Sequence, residues 1–358
     1  MNEETLYAIA LSMTPRISLA QRCAVVAECG SARAACERPA LKDRITPYLA
    51  RAEKEMMWTD SHGIRCIPFN DDRYPRRMRL CEDAPVVLYL MGNTDLNPER
   101  VLAIVGTRQI NEYGRRLCQD FIKELAYLSP GTLIVSGLAY GVDVHAHKAA
   151  LQHALPTVGV MAHGLDMVYP AAHRHIAEEM LDNGGALLTE FPSGTHIEKN
   201  YFAQRNRIVA GIADATIVIQ GASKSGSMIT ANITDSYGRE LFACPGRVGD
   251  ELSEGCNRLI QSLKAHMMLS AHDLLSVMNW PEEPLRRQIM QQGVQPSLFP
   301  QLSDNEEKIV NTLRTGDTLS ANEIAARTAL PIGSLASTLF ALEMKGVLRQ
   351  APGGRYHL

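Results

Sequence analysis

A chain of 358 residues exceeds one ordinary domain and points to two or three. Its apolar fraction of 46% allows a sizeable core, and no apolar run reaches the length that spans a bilayer, so a cytoplasmic protein with no membrane association is expected. With 36 Lys and Arg against 39 Asp and Glu, the net charge of −3 argues against nonspecific coating of nucleic acid but allows a local basic stripe.

Residues 1–63 read as a small module of short helices. Leu6, Ile9, Ala10 and later Val25 and Val26 recur at helical spacing, punctuated by Thr14-Pro15 and Cys29-Gly30-Ser31. Two extended runs follow, over 64–68 and 86–90. From residue 101 apolar strands alternate with helix-length segments, at 101–105, 132–136, 157–162, 186–189, 215–220 and 240–244. Unbroken apolar strands separated by helices predict an α/β domain over 64–278, with a parallel sheet covered on both faces.

Pro281, Pro284, Pro296, Pro300 and a run of glutamines mark a linker over 279–302. Residues 303–358 form a further unit. Ser303-x-x-Glu306 and Ser320-x-x-Glu323 are capping boxes, and a third helix is expected from Pro331, with Leu335, Leu339 and Leu342 on one face. Gly346 ends it, and residues 347–357 read as strand, Pro-Gly-Gly turn and strand. Three helices and a hairpin are the winged-helix pattern. This unit holds six basic and six acidic residues, and its third helix carries only Lys345, so sequence-specific duplex reading is not expected.

The eight cysteines form no Cys-x-x-Cys pair, which points to small buried apolar residues and not to a zinc site or a disulfide framework. Glycine closely follows most sheet strands, as Gly106, Gly137, Gly164, Gly221 and Gly246. In an open parallel sheet those strand ends share one rim, where ligands bind. A single such glycine is best read as a tight turn; five on one rim favour a binding site. Arg108 directly follows Gly106-Thr107, and Lys224 lies in the loop Gly221-Ala-Ser-Lys-Ser-Gly-Ser227, whose hydroxyls and backbone donors lead into a helix. Both features suit phosphate.

The same loop departs from a nucleotide-hydrolysing P-loop, because Ser227-Met228 stands where Lys-Ser or Lys-Thr is required. The turn after the first parallel strand is not Gly-x-Gly-x-x-Gly, and no acidic residue ends the second to hold a ribose. Neither a nucleophile elbow nor a zincin motif occurs. No catalytic residue, cofactor or metal is therefore expected. His145 and His147 diverge on a helix and fit capping and packing better than metal binding. Arg205 and Arg207 also diverge, so one can meet phosphate while the other pairs internally; which does which stays open.

Together these segments resemble the bacterial DNA-processing family known as DprA or Smf. The matching pieces are Val105-Gly-Thr-Arg108, Val135-Ser-Gly-Leu-Ala-Tyr-Gly-Val-Asp143 with His147, and Gly164-Leu-Asp-Met-Val-Tyr-Pro170. Arg205-Asn-Arg-Ile-Val-Ala-Gly211, Ser225-Gly-Ser-Met-Ile-Thr-Ala231 and Pro245-Gly246 complete the set. The resemblance implies an extended Rossmann-like domain flanked by a SAM-like helical domain and a winged helix. It implies a homodimer that binds and protects single-stranded DNA and loads the recombinase RecA during natural transformation. Carried over by motif, Gly106, Thr107, Arg108, Gly137, Arg205, Asn206, Arg207, Lys224, Ser225, Gly226 and Ser227 would line a phosphate-binding groove. Arg174 would supply the charge after Tyr169-Pro170, where Ala171-Ala172 replace the polar residues usual in the family. Asn257, Ile260 and Met267 are candidates for a dimer contact, with ordinary packing the alternative. Pro15-Arg-Ile-Ser18 lacks the family's glycine-rich hairpin, so no helix-hairpin-helix grip on DNA is implied. The rival readings are a nucleotide phosphoribohydrolase and a winged-helix regulator whose α/β domain senses a phosphorylated ligand.

Overall fold

The computed structural model of the chain describes residues 2–283, 302–313, 319–328, 330, 332–344, 347–351 and 355–357. Two compact units result, Met1–Pro284 and Leu285–Leu358.

The first unit opens with helices α1 (Glu3–Met13), α2 (Leu19–Cys29), α3 (Ala32–Glu37) and α4 (Pro39–Ser61). Their starts are set locally. The Asn2 side chain accepts from the Glu4 amide at 3.0 Å, Ser18 and Gln21 close a capping box, and Ser31 accepts from the Ala34 amide. Buried Ala8, Ile9 and Leu11 share one core with Ile64, Ile67, Leu88 and Leu90. The helices of residues 1–63 thus pack on the sheet.

That sheet contains β1 (Ile64–Pro68), β2 (Val87–Gly92), β3 (Val101–Val105), β4 (Leu133–Ser136), β5 (Thr157–Val160), β6 (Ala186–Thr189), β7 (Ala215–Val218), β8 (Glu240–Ala243) and β9 (His266–Met267). Between them lie α5 (Arg76–Arg79), α6 (Glu112–Leu128), α7 (Val142–Gln152), α8 (Arg174–Asp182), α9 (Lys199–Gly211), α10 (Gly226–Ser236), α11 (Glu254–Gln261) and, last, α12 (Ala271–Val277). The strand order is β1-β2-β6-β5-β4-β3-β7-β8-β9. β1 and β2 pair antiparallel at one edge, and every pairing from β6 to β9 is parallel. The six expected parallel strands all form. The short edge strand β9 carries too few residues for an alternation pattern and was not expected.

Alternation along the buried strands builds two cores. Leu102, Ile104, Ile134 and Ile217 point into one with Phe121, Ile122 and Leu125 of α6. Val101, Ala103, Val105, Val135 and Val218 point into the other with Ile208 and Val209 of α9. The chain leaves β3 toward β4, β5 and β6, then returns to place β7 on the other side of β3. Ligand crevices form at such a reversal, outside the carboxyl ends of the strands.

Trp280 packs on the core beneath α6 and α12. The Arg100 guanidinium lies over its ring at 5.6 Å and donates to the Pro281 carbonyl at 3.2 Å. The compact unit therefore continues past residue 278. Most of the expected linker, residues 284–301, lies outside the described residues.

The second unit has α13 (Asp304–Leu313), β10 (Leu319–Ser320), α14 (Ala321–Thr328), α15 (Ile332–Met344), β11 (Arg349–Ala351) and β12 (Arg355–His357). Glu306 accepts from the Ser303 amide at 2.8 Å, and Glu323 from the Ser320 amide at 2.7 Å, as the capping boxes predict. Leu335, Leu339 and Leu342 are buried together with Ile309 and Ile324. β12 pairs with β11 and also with β10, so the hairpin gains a third strand. Pro331, Lys345, Gly346 and the Pro-Gly-Gly turn lie outside the described residues.

Candidate functional site

The crevice lies at the ends of β3 and β7. After β3 the backbone is tied to both neighbours: the Thr107 amide donates to the Gln220 carbonyl at 2.7 Å, and the Val142 amide donates to the Thr107 carbonyl at 3.1 Å. Gly141 permits this second contact. It adopts φ +78°, and a Cβ there would overlap the Thr107 carbonyl. The Arg108 side chain consequently projects across the opening, its guanidinium 5.3 Å from the centre of the Phe202 ring.

A cavity of about 870 Å³ occupies this crevice. From the predicted set it brings together Gly106, Thr107, Arg108 and Gly137, with Arg205 and Asn206 from α9 and Ser225, Gly226 and Ser227 at the start of α10. At that helix start the Ser225 side chain makes no cap bond and instead pairs with the Ser227 hydroxyl at 2.8 Å. Backbone donors in the first turn of α10 therefore face an anion-ready opening.

The two arginines of Arg205-Asn-Arg207 separate as their spacing requires. Arg205 is buried beneath Gly137 and donates from Nη1 to the Val160 carbonyl at 3.0 Å, while its Nε has no hydrogen-bond partner among the described residues. Asp143 lies near it, buried in the cavity wall. Burial pushes the Asp143 carboxyl up, opposed chiefly by Arg205, and burial lowers Arg205 in turn. Arg207, on the other side of α9, is spent internally. It is ion-paired with buried Glu190 and donates to the Asp83 carbonyl. Burial raises the Glu190 carboxyl against the pull of Arg207.

Three expected phosphate ligands therefore sit outside the cavity. Arg207 is buried in its ion pair. Lys224 is exposed on the loop but not in the cavity wall, and Arg174 is exposed at the start of α8. Sequence reasoning also missed Lys199 and Phe202, which do line it. Their signal was available, since 199, 202, 203 and 206 share one face of a helix that already presents Asn206. A neighbouring cavity of about 110 Å³ is bounded by Arg108, Tyr140, His163, Tyr169 and Phe202, so the tyrosines of two family-like segments also border the site.

His147 and His145 take packing roles. His147 Nδ1 meets the Thr157 hydroxyl at 2.7 Å, and burial pushes its pKa down to about 3; His145 Nδ1 meets the Gly141 carbonyl at 2.8 Å. Of the three dimer candidates, Asn257 clamps Gly246 through the latter's amide and carbonyl, at 3.0 and 3.1 Å. Ile260 is half-buried, and Met267 is half-exposed on edge strand β9.

A doubly covered parallel sheet with cations and open helix-start amides at its reversal point defines a Rossmann-like protein equipped to hold phosphate. The chain belongs to the DNA recombination-mediator protein A family, whose model matches residues 65–279, and the DprA winged helix domain matches residues 295–354. Protein Smf of Escherichia coli (strain K12) is 32% identical over 315 residues, covering 86% of this chain and 80% of that protein. DNA processing protein DprA of Bacillus subtilis (strain 168) is 36% identical over 236 residues, covering 66% of this chain and 78% of that one. Among solved structures, DNA processing protein A from Streptococcus pneumoniae superposes with a TM-score of 0.65 at 30% identity, covering 77% of this chain and 98% of that one. The Helicobacter pylori protein, whose structure concerns its single-stranded DNA binding mode, gives 0.54 at 29% identity, over 60% of this chain and 95% of that one.

Proposed function

We propose that this chain is a single-stranded DNA-binding recombination mediator, and that the crevice between β3 and β7 holds the strand. One observation carries the reading: Arg108, Lys199 and Arg205 converge with the first turn of α10 on one cavity that also presents the face of Phe202. The cations and amides suit phosphate, and the aromatic face suits a base. Lys199 is exposed, and among the described residues no carboxylate lies within ion-pairing distance of it.

On this reading the protein acts by binding and not by catalysis. The Asp143 carboxyl is buried in the cavity wall, where the charge of Arg205 opposes the rise that burial causes, and on this reading its role is structural. In keeping with the family's description as recombination mediators, the bound strand is protected and passed to RecA by a homodimer of this chain. We further propose the division into a helical module over 1–63, a DNA-binding domain over 64–278, a linker and a winged helix over 303–358. Lys224 and Arg174 serve as outer phosphate contacts beyond the cavity.

The test is fluorescence anisotropy on a labelled oligonucleotide, single-stranded and then annealed, with the parent chain and Arg108→Ala. A preference for the single strand that the substitution removes supports the reading. Equal binding to duplex, or release of free base from nucleoside monophosphates, would overturn it.

A further inference from the structure

Beside the main cavity lies a second, of about 760 Å³, bounded by Asn111, Tyr113, Pro245, Gly246, Arg247 and Asp250. We propose that it is a second nucleotide subsite on the same strand path, with a base stacked on Tyr113 and its phosphate held by Arg247. This rests on the single-strand reading of the main cavity and extends it.

The two cavities adjoin through the backbone. Gln109 and Glu251 line the first, while Asn111 and Asp250 line the second. Residues two apart in a chain are separated by at most about 7 Å, so a strand leaving the first cavity reaches the second within a nucleotide or two. The connecting turn is held in place: the Asn111 amide donates to Gln220 Oε1 at 3.3 Å, and its side chain caps α6 through the Gly114 amide at 3.0 Å.

Tyr113 has the form of a fixed stacking surface. Its hydroxyl donates to the Pro245 carbonyl at 2.7 Å, which orients the ring, yet the residue stays 47% exposed at a cavity wall. An apolar ring held open to solvent by one polar anchor contributes little to folding and loses little entropy when a base covers it. Arg247 is exposed on the facing loop, and among the described residues no carboxylate pairs with it. The opposing carboxylate of Asp250 is occupied by the Ser253 hydroxyl at 2.6 Å and the Leu252 amide at 3.2 Å.

The experiment measures affinity for oligothymidylates of graded length with the full chain and with Tyr113→Ala, Tyr113→Phe and Arg247→Ala. For the parent, affinity should rise with length as the second subsite fills. Tyr113→Ala should lose that increment, about 5- to 10-fold at the low end of base–aromatic stacking, and leave the shortest oligomer unaffected. Tyr113→Phe keeps the ring without its anchor and should retain most of the increment. Arg247→Ala should lose part of the increment and flatten the salt dependence of long oligomers only. Parent-like binding by Tyr113→Ala at every length would overturn the subsite. An equal loss in Tyr113→Phe would also overturn it, by assigning the effect to the hydrogen bond that holds the 245–250 loop. If the parent binds no single strand at all, the main-cavity reading fails first, a result distinct from either.

Discussion

The backbone of Gly137 rests directly on the guanidinium of Arg205, so closely that a Cβ at residue 137 would overlap the Arg205 Nη1 atom. Glycine after β4 is thus needed for contact and not for an unusual backbone angle. The charge at the cavity floor is seated by the absence of a side chain above it.

Gly137→Ala should force the Arg205 guanidinium out of its seat, breaking the bond that this buried group makes to the Val160 carbonyl. The expected cost is about 1–3 kcal/mol of stability, as for other overpacked cores. Single-strand affinity should fall with it. Thermal melting and anisotropy on the same sample check both.

Arg108→Ala removes an exposed cation that lies over Phe202. Loss of a charge-assisted phosphate contact should weaken single-strand binding by about 1.5–3 kcal/mol and leave melting nearly unchanged. A salt titration is the sharper readout. If about four phosphates are neutralised, a fourfold rise in salt weakens the parent roughly 50-fold, and this variant should lose about 0.7 from the logarithmic slope.

Glu190→Ala removes the close carboxylate of buried Arg207 and leaves only that of Asp83, 4.0 Å from its Nε. Breaking a buried pair in this way should destabilise the fold by about 3–5 kcal/mol. The salt slope of whatever protein remains folded should match the parent's, since Arg207 faces away from the cavity. Urea denaturation followed by binding at low temperature separates the two effects.

His147 supplies a pH dependence with a defined sign. Its pKa falls from 6.5 to about 3 on folding, through burial first and the charges of Arg205 and His173 next. Between those values the unfolded chain binds a proton that the folded chain does not. The contribution is therefore complete above pH 6.5 and is lost as pH falls toward 3, at up to about 1.4 kcal/mol per pH unit. His147→Gln should flatten that limb of a melting-temperature profile.

Much of this is legible in the sequence. The unbroken apolar run Val101–Val105 already implied two buried faces, and the Ser-x-x-Glu boxes marked helix starts in the tail correctly. Glycine at successive strand ends located the rim, and Gly106, Gly137 and the 225–227 turn do meet there. These readings succeed because each depends on residues close together in the chain. Lys224 was placed by the same local logic, yet a loop residue beside a cavity can point either way, and here it points out.

The sequence by itself determined that Arg205 and Arg207 diverge, because two helical steps turn a side chain through about 200°. Only the tertiary structure decided their fates. Arg207 is neutralised by Glu190, at the end of β6, while Arg205 is buried between Gly137 after β4 and the Val160 carbonyl of β5. Those partners lie between 17 and 68 residues away in the chain, and their adjacency follows from a strand order that local spacing does not encode. Which cation meets a ligand is set by which long-range neighbour reaches each first, and burial makes that choice durable: an arginine already paired away from water has no reason to leave.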